Sequence, residues 1–234
     1  ILKKILKRFE KDQSIVATEW AKSQLKVTTE EFLFEIDQDL FEETNSEMQI
    51  LEKNASKKLS KIKHSLGGGG NYLLLYFLIR KFKPEVIIET GVAAGWTTSA
   101  ILRAIKKNKF GKLYSSDFPY FRLKNPEQYI GFLVKDEIDR SDWILDIRGD
   151  DVALKSFASK LKNNSVKLFH YDSDKSYEGR SNALKILKNK FSNEAIIIFD
   201  DIQNNLHFKD FVINNKLKFK VFEFNKKYLG LIGV

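Results

Sequence analysis

Residues 85–107 read EVIIETGVAAGWTTSAILRAIKK, and this stretch decides the fold. Its first six residues, with the apolar core Val86-Ile87-Ile88, read as a strand. Gly91 ends that strand, small residues continue through Gly95, and residues 96–107 read as a helix. Glycine permits the sharp turn by which a strand feeds directly into a helix. Upstream, residues 71–82 are apolar enough for a buried helix, which Lys83-Pro84 ends. Downstream, strands at 112–117, 143–149, 166–172 and 195–200 alternate with helices at 151–161 and 177–191. Strands and helices alternating at this length imply a parallel sheet covered on both faces. Residues 217–224 and 228–234 are separated only by Asn225-Lys226-Lys227, a loop short enough only for a hairpin. The sequence therefore predicts a doubly wound α/β domain. Its seven-stranded, mostly parallel sheet would end in a C-terminal antiparallel hairpin.

Ahead of this pattern the composition changes. Residues 2–9 place Leu2, Ile5, Leu6 and Phe9 on one helical face and Lys3, Lys4, Lys7 and Arg8 on the other. Between Val27 and Glu52 there are nine acids and no base, with Phe32, Leu33, Ile36, Leu40 and Phe41 at roughly helical spacing. Five lysines follow in residues 53–64, and then four consecutive glycines occupy 67–70. Consecutive glycines lose too much backbone entropy to sit inside an element, so they mark a boundary. Residues 1–66 are thus expected to form a helical extension, acting as a cap or a dimer contact. Residues 67–234 would be the main domain.

The chain is 43% apolar and 30% charged, the make-up of an ordinary globular protein. No apolar run reaches the ~20 residues of a membrane-spanning helix, so none is expected. With no Cys there is no disulfide framework, thiolate nucleophile or Cys-ligated zinc to consider. Three His leave little room for a His-rich metal site, which points any metal to oxygen ligands. No targeting segment is visible, and a reducing cytoplasm is the expected location. The net charge of +9 comes entirely from residues 67–234, because residues 1–66 hold twelve bases and twelve acids. A basic region can attract nucleic acid or an anionic small substrate, but dispersed lysine without a recognition motif reads first as general composition and solvated helix faces.

In an open α/β sheet, ligands bind beyond the carboxyl ends of the strands. The strand ends here carry Glu89 and Gly91, Asp117, Arg148-Gly149-Asp150-Asp151, Asp172-Ser173-Asp174-Lys175, and Asp200-Asp201. An acid placed like Asp117 can accept both ribose hydroxyls of an adenosine. Asp151 reads alternatively as the N-cap of the next helix, as do Asp200 and Asp201. Adjacent parallel strands run ~4.8 Å apart, so Asp172 can face Asp200 and Asp201. Three carboxylates so close together repel unless a cation or a proton joins them.

Glu-x-Gly-x-x-x-Gly-aromatic-Thr at 89–97 resembles the cofactor loop of class I S-adenosylmethionine-dependent methyltransferases. Within that class the chain is similar to small-molecule O-methyltransferases. Asp172-x-x-Lys175 resembles the catechol type, with Asp201 in place of its Asn, while Asp172-x-Asp174 with Asp200-Asp201 resembles the antibiotic-sugar type. Residues 131–134 and 139–143 look like the linker before the third strand. The resemblance covers roughly residues 70–234 and implies the Rossmann-like methyltransferase fold. It implies S-adenosylmethionine bound by Glu89, Gly91, Gly95, Trp96, Thr97, Asp117, Asp150 and Asp172. Mg²⁺ or Mn²⁺ would sit on Asp172, Asp200 and Asp201, with Asp174 or Lys175 as the base. Tyr177 and the glycines 67–70 would border the pocket of a small-molecule acceptor, a phenol or a sugar. Rival chemistries are a metal-dependent hydroxylase on the same fold and a nucleic-acid methyltransferase. The latter is disfavoured, because the chain has three Pro and no Asn-Pro-Pro-Tyr-like motif.

Overall fold

The computed structural model describes residues 2–120, 122–134 and 141–234. The side chains of residues 2–9 lie outside the described ones, as does the part of the expected linker at 139–140. Three helices come first: α1 (Leu2–Ser23), α2 (Thr29–Ile36) and α3 (Gln38–Leu59). The alternating part follows, with α4 (Tyr72–Phe82), β1 (Val86–Thr90), α5 (Trp96–Asn108) and β2 (Lys112–Ser116). Next come β3 (Trp143–Asp146), α6 (Asp150–Lys160), β4 (Val166–Tyr171), α7 (Tyr177–Leu187) and β5 (Phe191–Phe199). The chain closes with α8 (His207–Asn214), β6 (Phe219–Phe224) and β7 (Lys227–Ile232).

The strands form one seven-stranded sheet in the order β3-β2-β1-β4-β5-β7-β6. All neighbours from β3 to β5 pair in parallel, while β7 runs antiparallel between β5 and β6. This is the doubly wound architecture expected from the alternation. Side chains along each strand face opposite sides, so Ile87 and Ile88 serve different cores. One core gathers α2, α3, α4 and α5 over Ile87, Leu113, Leu168 and Ile198. The other gathers α1, α6, α7 and α8 over Ile88, Phe169, Ile197 and Phe199. Strand order reverses between β1 and β4, and there the carboxyl ends open a crevice.

Local chemistry sets the element ends, and several differ from the sequence reading. Asn71 caps α4 by accepting the Leu74 amide, so that helix starts at Tyr72. The third strand stops at Asp146 rather than at 149, because Arg148 folds back onto Asp146. Asp151 is not a cap. Gly149 holds that position, and Asp151 bonds instead to Lys155 and Asn182. The helix expected over 177–191 ends at Leu187, since Phe191 already pairs with Val166 in the sheet. Helix α8 was not anticipated, because its eight residues lack strong start and stop signals. Among the described residues no helix is long and apolar enough to cross a membrane.

Candidate functional site

The turn after β1 is pressed against the turn after β4. Asp172 donates its amide to Thr90 O at 3.0 Å, and Gly91 donates its own to Ser116 O at 2.9 Å. Gly91 has φ +81°, and a Cβ there would lie 2.3 Å from Asp172 O. Only glycine meets both conditions. Gly95 precedes α5, and the preceding turn is held by Gly131 and Leu133, whose amides bond Ala93 O and Ala94 O. The segment 131–134 thus acts as a brace on the glycine loop.

Glu89 is fully buried and accepts hydrogen bonds from Thr97, Thr98 and Ser115 at 2.6, 2.8 and 2.8 Å. Burial pushes its carboxyl above the usual range, against the pull of His170 and the three hydroxyls. Glu89 and Thr97 therefore face one another beneath the loop. Trp96 stacks on Tyr72 at 5.5 Å. A cleft of about 520 Å³ opens on the other side of the loop, lined by Gly91, Ala93, Asp117, Phe118, Gly149, Asp150 and Asp172. Four of the eight expected cofactor residues line it; Glu89, Gly95, Trp96 and Thr97 do not. Asp117 accepts the amides of Ala93 and Phe118, each at 2.6 Å, and burial raises its pKa. Asp150 accepts from Ser116 at 2.7 Å and from Ser173.

Beyond the cleft lies the carboxylate cluster. Burial and the neighbouring Asp200 push Asp172 up to about 6, although it pairs directly with Lys175. Lys175 Nζ also stands 3.2 Å from Asp201, as does Lys227 Nζ. Burial opposes ionisation of Asp201, but these two ammonium groups bring its pKa below the usual range. Asp200 is buried, with its Oδ2 3.5 Å from Nε2 of His170. Asp174 turns towards the start of α7, where its carboxylate accepts the Ser176 amide. Of the three expected metal donors, Asp172 and Asp200 come together, joined by His170. Their ligand atoms lie within 4.8 Å of one another. Asp201 is engaged by lysines. Of the glycines 67–70 only Gly70 covers this group: a Cβ there would sit 2.0 Å from Asp200 Oδ2 and 3.3 Å from His170 Nε2, whereas Gly69 lies against Trp96.

Residues 88–202 match the family model for a methyltransferase domain. The chain carries a class I methyltransferase domain. The methyltransferase also shares its fold with solved structures at low identity. The SAH-bound Podospora anserina methyltransferase PaMTH1 matches at TM-score 0.61 and 12% identity, over 79% of this chain and 87% of that one. A Staphylococcus aureus protein named as a candidate caffeoyl-CoA O-methyltransferase matches at TM-score 0.59 and 10% identity, covering 88% and 99%. A Klebsiella pneumoniae candidate O-methyltransferase matches at TM-score 0.58 and 14% identity, covering 97% and 99%. None of the curated proteins matches the methyltransferase by sequence.

Three participants escaped the sequence reading. Phe118 lines the cleft while half its surface is exposed, and its only signal was its place after Asp117. Arg180 is fully buried on α7 and donates to the backbone carbonyls of Asp200 and Asp201 at 2.9 and 2.8 Å. Lys227 arrives from β7, far along the chain. Arg180 and Lys227 add positive charge beside the carboxylates, in addition to Lys175.

Proposed function

We propose that this methyltransferase takes S-adenosylmethionine as donor and methylates a hydroxyl of a small molecule. The cleft beyond the β1/β4 reversal carries the reading, because it joins adenosine-binding chemistry to a proton-accepting cluster. Asp117 offers its carboxylate to the ribose hydroxyls, Phe118 and Asp150 flank the position of the base, and the loop from Gly91 lets the ligand approach the main chain. Phe118 gives a face on which an aromatic ring stacks. The donor's sulfonium already activates its methyl, so the protein chiefly aligns the nucleophile. Of the two candidate bases Asp174 lines the cleft but spends its carboxylate on the Ser176 amide, while Lys175 stands behind Asp172, between it and Asp201, and is the preferred base. Asp172 and Asp201 hold Lys175 in position to act on the acceptor's hydroxyl proton.

The donor chemistry at the cluster fits a divalent cation. Asp172 and Asp200 supply oxygens, and the buried His170 ring beside them has no hydrogen-bond partner for either nitrogen among the described residues. Mg²⁺ or Mn²⁺ held there would lower the pKa of the acceptor hydroxyl. The extension 1–66 fits a cap over the site. Leu66 O accepts from Tyr120, and Lys58 donates to Leu133 O of the brace.

Calorimetry with S-adenosylmethionine and S-adenosylhomocysteine tests the central claim, followed by a metabolite screen with labelled methyl donor. Binding to the wild type is expected, and its absence overturns the reading. Exhaustive EDTA treatment should abolish methyl transfer without abolishing donor binding. Full turnover after chelation would leave Lys175 as the sole activating group.

A further inference from the structure

The ligand set expected from the sequence, Asp172, Asp200 and Asp201, leaves out one buried group at the same place. His170 lies on β4 two residues before Asp172, with its side chain completely buried. Neither Nδ1 nor Nε2 has a hydrogen-bond partner among the described residues. Asp200 Oδ2 stands 3.5 Å from Nε2, beyond a well-formed hydrogen bond. A buried imidazole in this state loses hydration and is offset only by the Coulombic pull of Asp200, Asp172 and Glu89, with no well-formed hydrogen bond to either nitrogen. One ligand atom from each of His170, Asp172 and Asp200 already stands within 4.8 Å of the other two. Donors bound about 2.1 Å from one ion are at most about 4.2 Å apart, so a small rotamer adjustment closes the set.

We infer that His170 is a ligand of the divalent ion, completing with Asp172 and Asp200 a mixed nitrogen–oxygen site from which Asp201 is excluded. This inference rests on the metal-assisted reading above and changes the identity of the third ligand. Asp201 is less suited to the role than Asp172, because two ammonium groups, Lys175 and Lys227, stand 3.2 Å from its carboxylate, whereas Asp172 pairs with Lys175 alone and stands in the group with His170 and Asp200. Arg180 further fixes the main chain at Asp200 and Asp201, which holds the two side chains in their separate directions. Gly70 contributes by being small. Its backbone covers Asp200 and His170 at a distance that no side chain would tolerate. An imidazole nitrogen moves the site's preference from Mg²⁺ towards Mn²⁺ and other transition ions.

The test uses Mn²⁺ as probe and the full chain, with a spectroscopic readout that needs no turnover. Mn²⁺ titrated into the wild type is followed by electron paramagnetic resonance, and the bound ion is examined for ¹⁴N modulation from a directly ligated imidazole. That modulation is expected. His170→Gln should remove it and weaken Mn²⁺ binding about tenfold or more, while Asp201→Asn should keep both the modulation and the affinity within about threefold. Bound Mn²⁺ without ¹⁴N modulation, or no Mn²⁺ binding at all, overturns the inference on the wild type alone, whether or not a variant folds. Calorimetry of S-adenosylmethionine on the same samples separates this failure from failure of the methyltransferase reading, since donor binding does not depend on which group is the third ligand.

Discussion

Glu89 lies beneath the cleft, not in it, and its chemistry is structural. Its two oxygens collect three hydroxyl hydrogen bonds from β2 and α5, and so weld the glycine loop to its neighbours. Replacing it by Ala would strand three buried hydroxyls, each costing about 1–3 kcal/mol. We expect Glu89→Ala to lose at least about 3 kcal/mol of stability, read as a large fall in thermal midpoint. An unchanged midpoint would falsify the buried network. Asp117 works differently, because its carboxylate both fixes the Ala93 and Phe118 amides and faces the cleft. Asp117→Asn keeps the shape but loses the charge and one acceptor. Affinity for S-adenosylmethionine should fall by about 1.5–3 kcal/mol, roughly ten- to hundredfold, by calorimetry. Undiminished affinity would move the ribose contact elsewhere. Both residues were legible in the sequence as cleft ligands, but only Asp117 faces the cleft. Side-chain direction at a strand end depends on which hydroxyls arrive from other elements.

The extension is attached to the main domain by several polar contacts as well as by its apolar stripe, and Glu43 gathers three of their partners. Glu43 on α3 accepts from Arg80 Nε at 2.8 Å and from the Tyr76 hydroxyl at 2.9 Å, both on α4, with Lys107 of α5 at 3.6 Å. The Arg80 hydrogen bond, set against burial, carries the Glu43 carboxyl down to about 2. A folded pKa below the unfolded value means that the stabilisation is fully present above about pH 4.5. It is lost as the pH falls towards about 2. Glu43→Gln should therefore cost about 1.5–3 kcal/mol at neutral pH and almost nothing near pH 2. Thermal midpoints measured from pH 7 to pH 2 should converge between wild type and variant. Parallel curves would show that Glu43 is not the responsible group.

At the scale of the molecule, α2 and α3 are inseparable from one of the two cores. Phe32, Leu33, Met48 and Leu51 are buried in the same cluster as Leu74, Phe77 and Ile101. Removing residues 1–66 would expose the outer faces of α4 and α5, an apolar patch of the kind soluble monomers avoid. A chain starting at Gly67 is expected to aggregate or to change its oligomeric state in light scattering. A monodisperse, fully active product with unchanged thermal midpoint would show that the extension is dispensable.

The sequence by itself determined the sheet, its parallel order up to the final hairpin, and the places where the site would open. Those features are written in windows of ten to twenty residues, where strand length, glycine turns and short loops act locally. The alternation from 85 to 200 needed no knowledge of distant contacts. Tertiary structure alone decided which charges meet. His170 and Asp200 belong to neighbouring strands, Arg180 to a helix and Lys227 to the last hairpin, so no local pattern could pair them. Whether a carboxylate stands free or neutralised depends on groups a few ångströms away in space and tens of residues away in sequence. Coulomb interaction and desolvation act on those distances, and folding sets them.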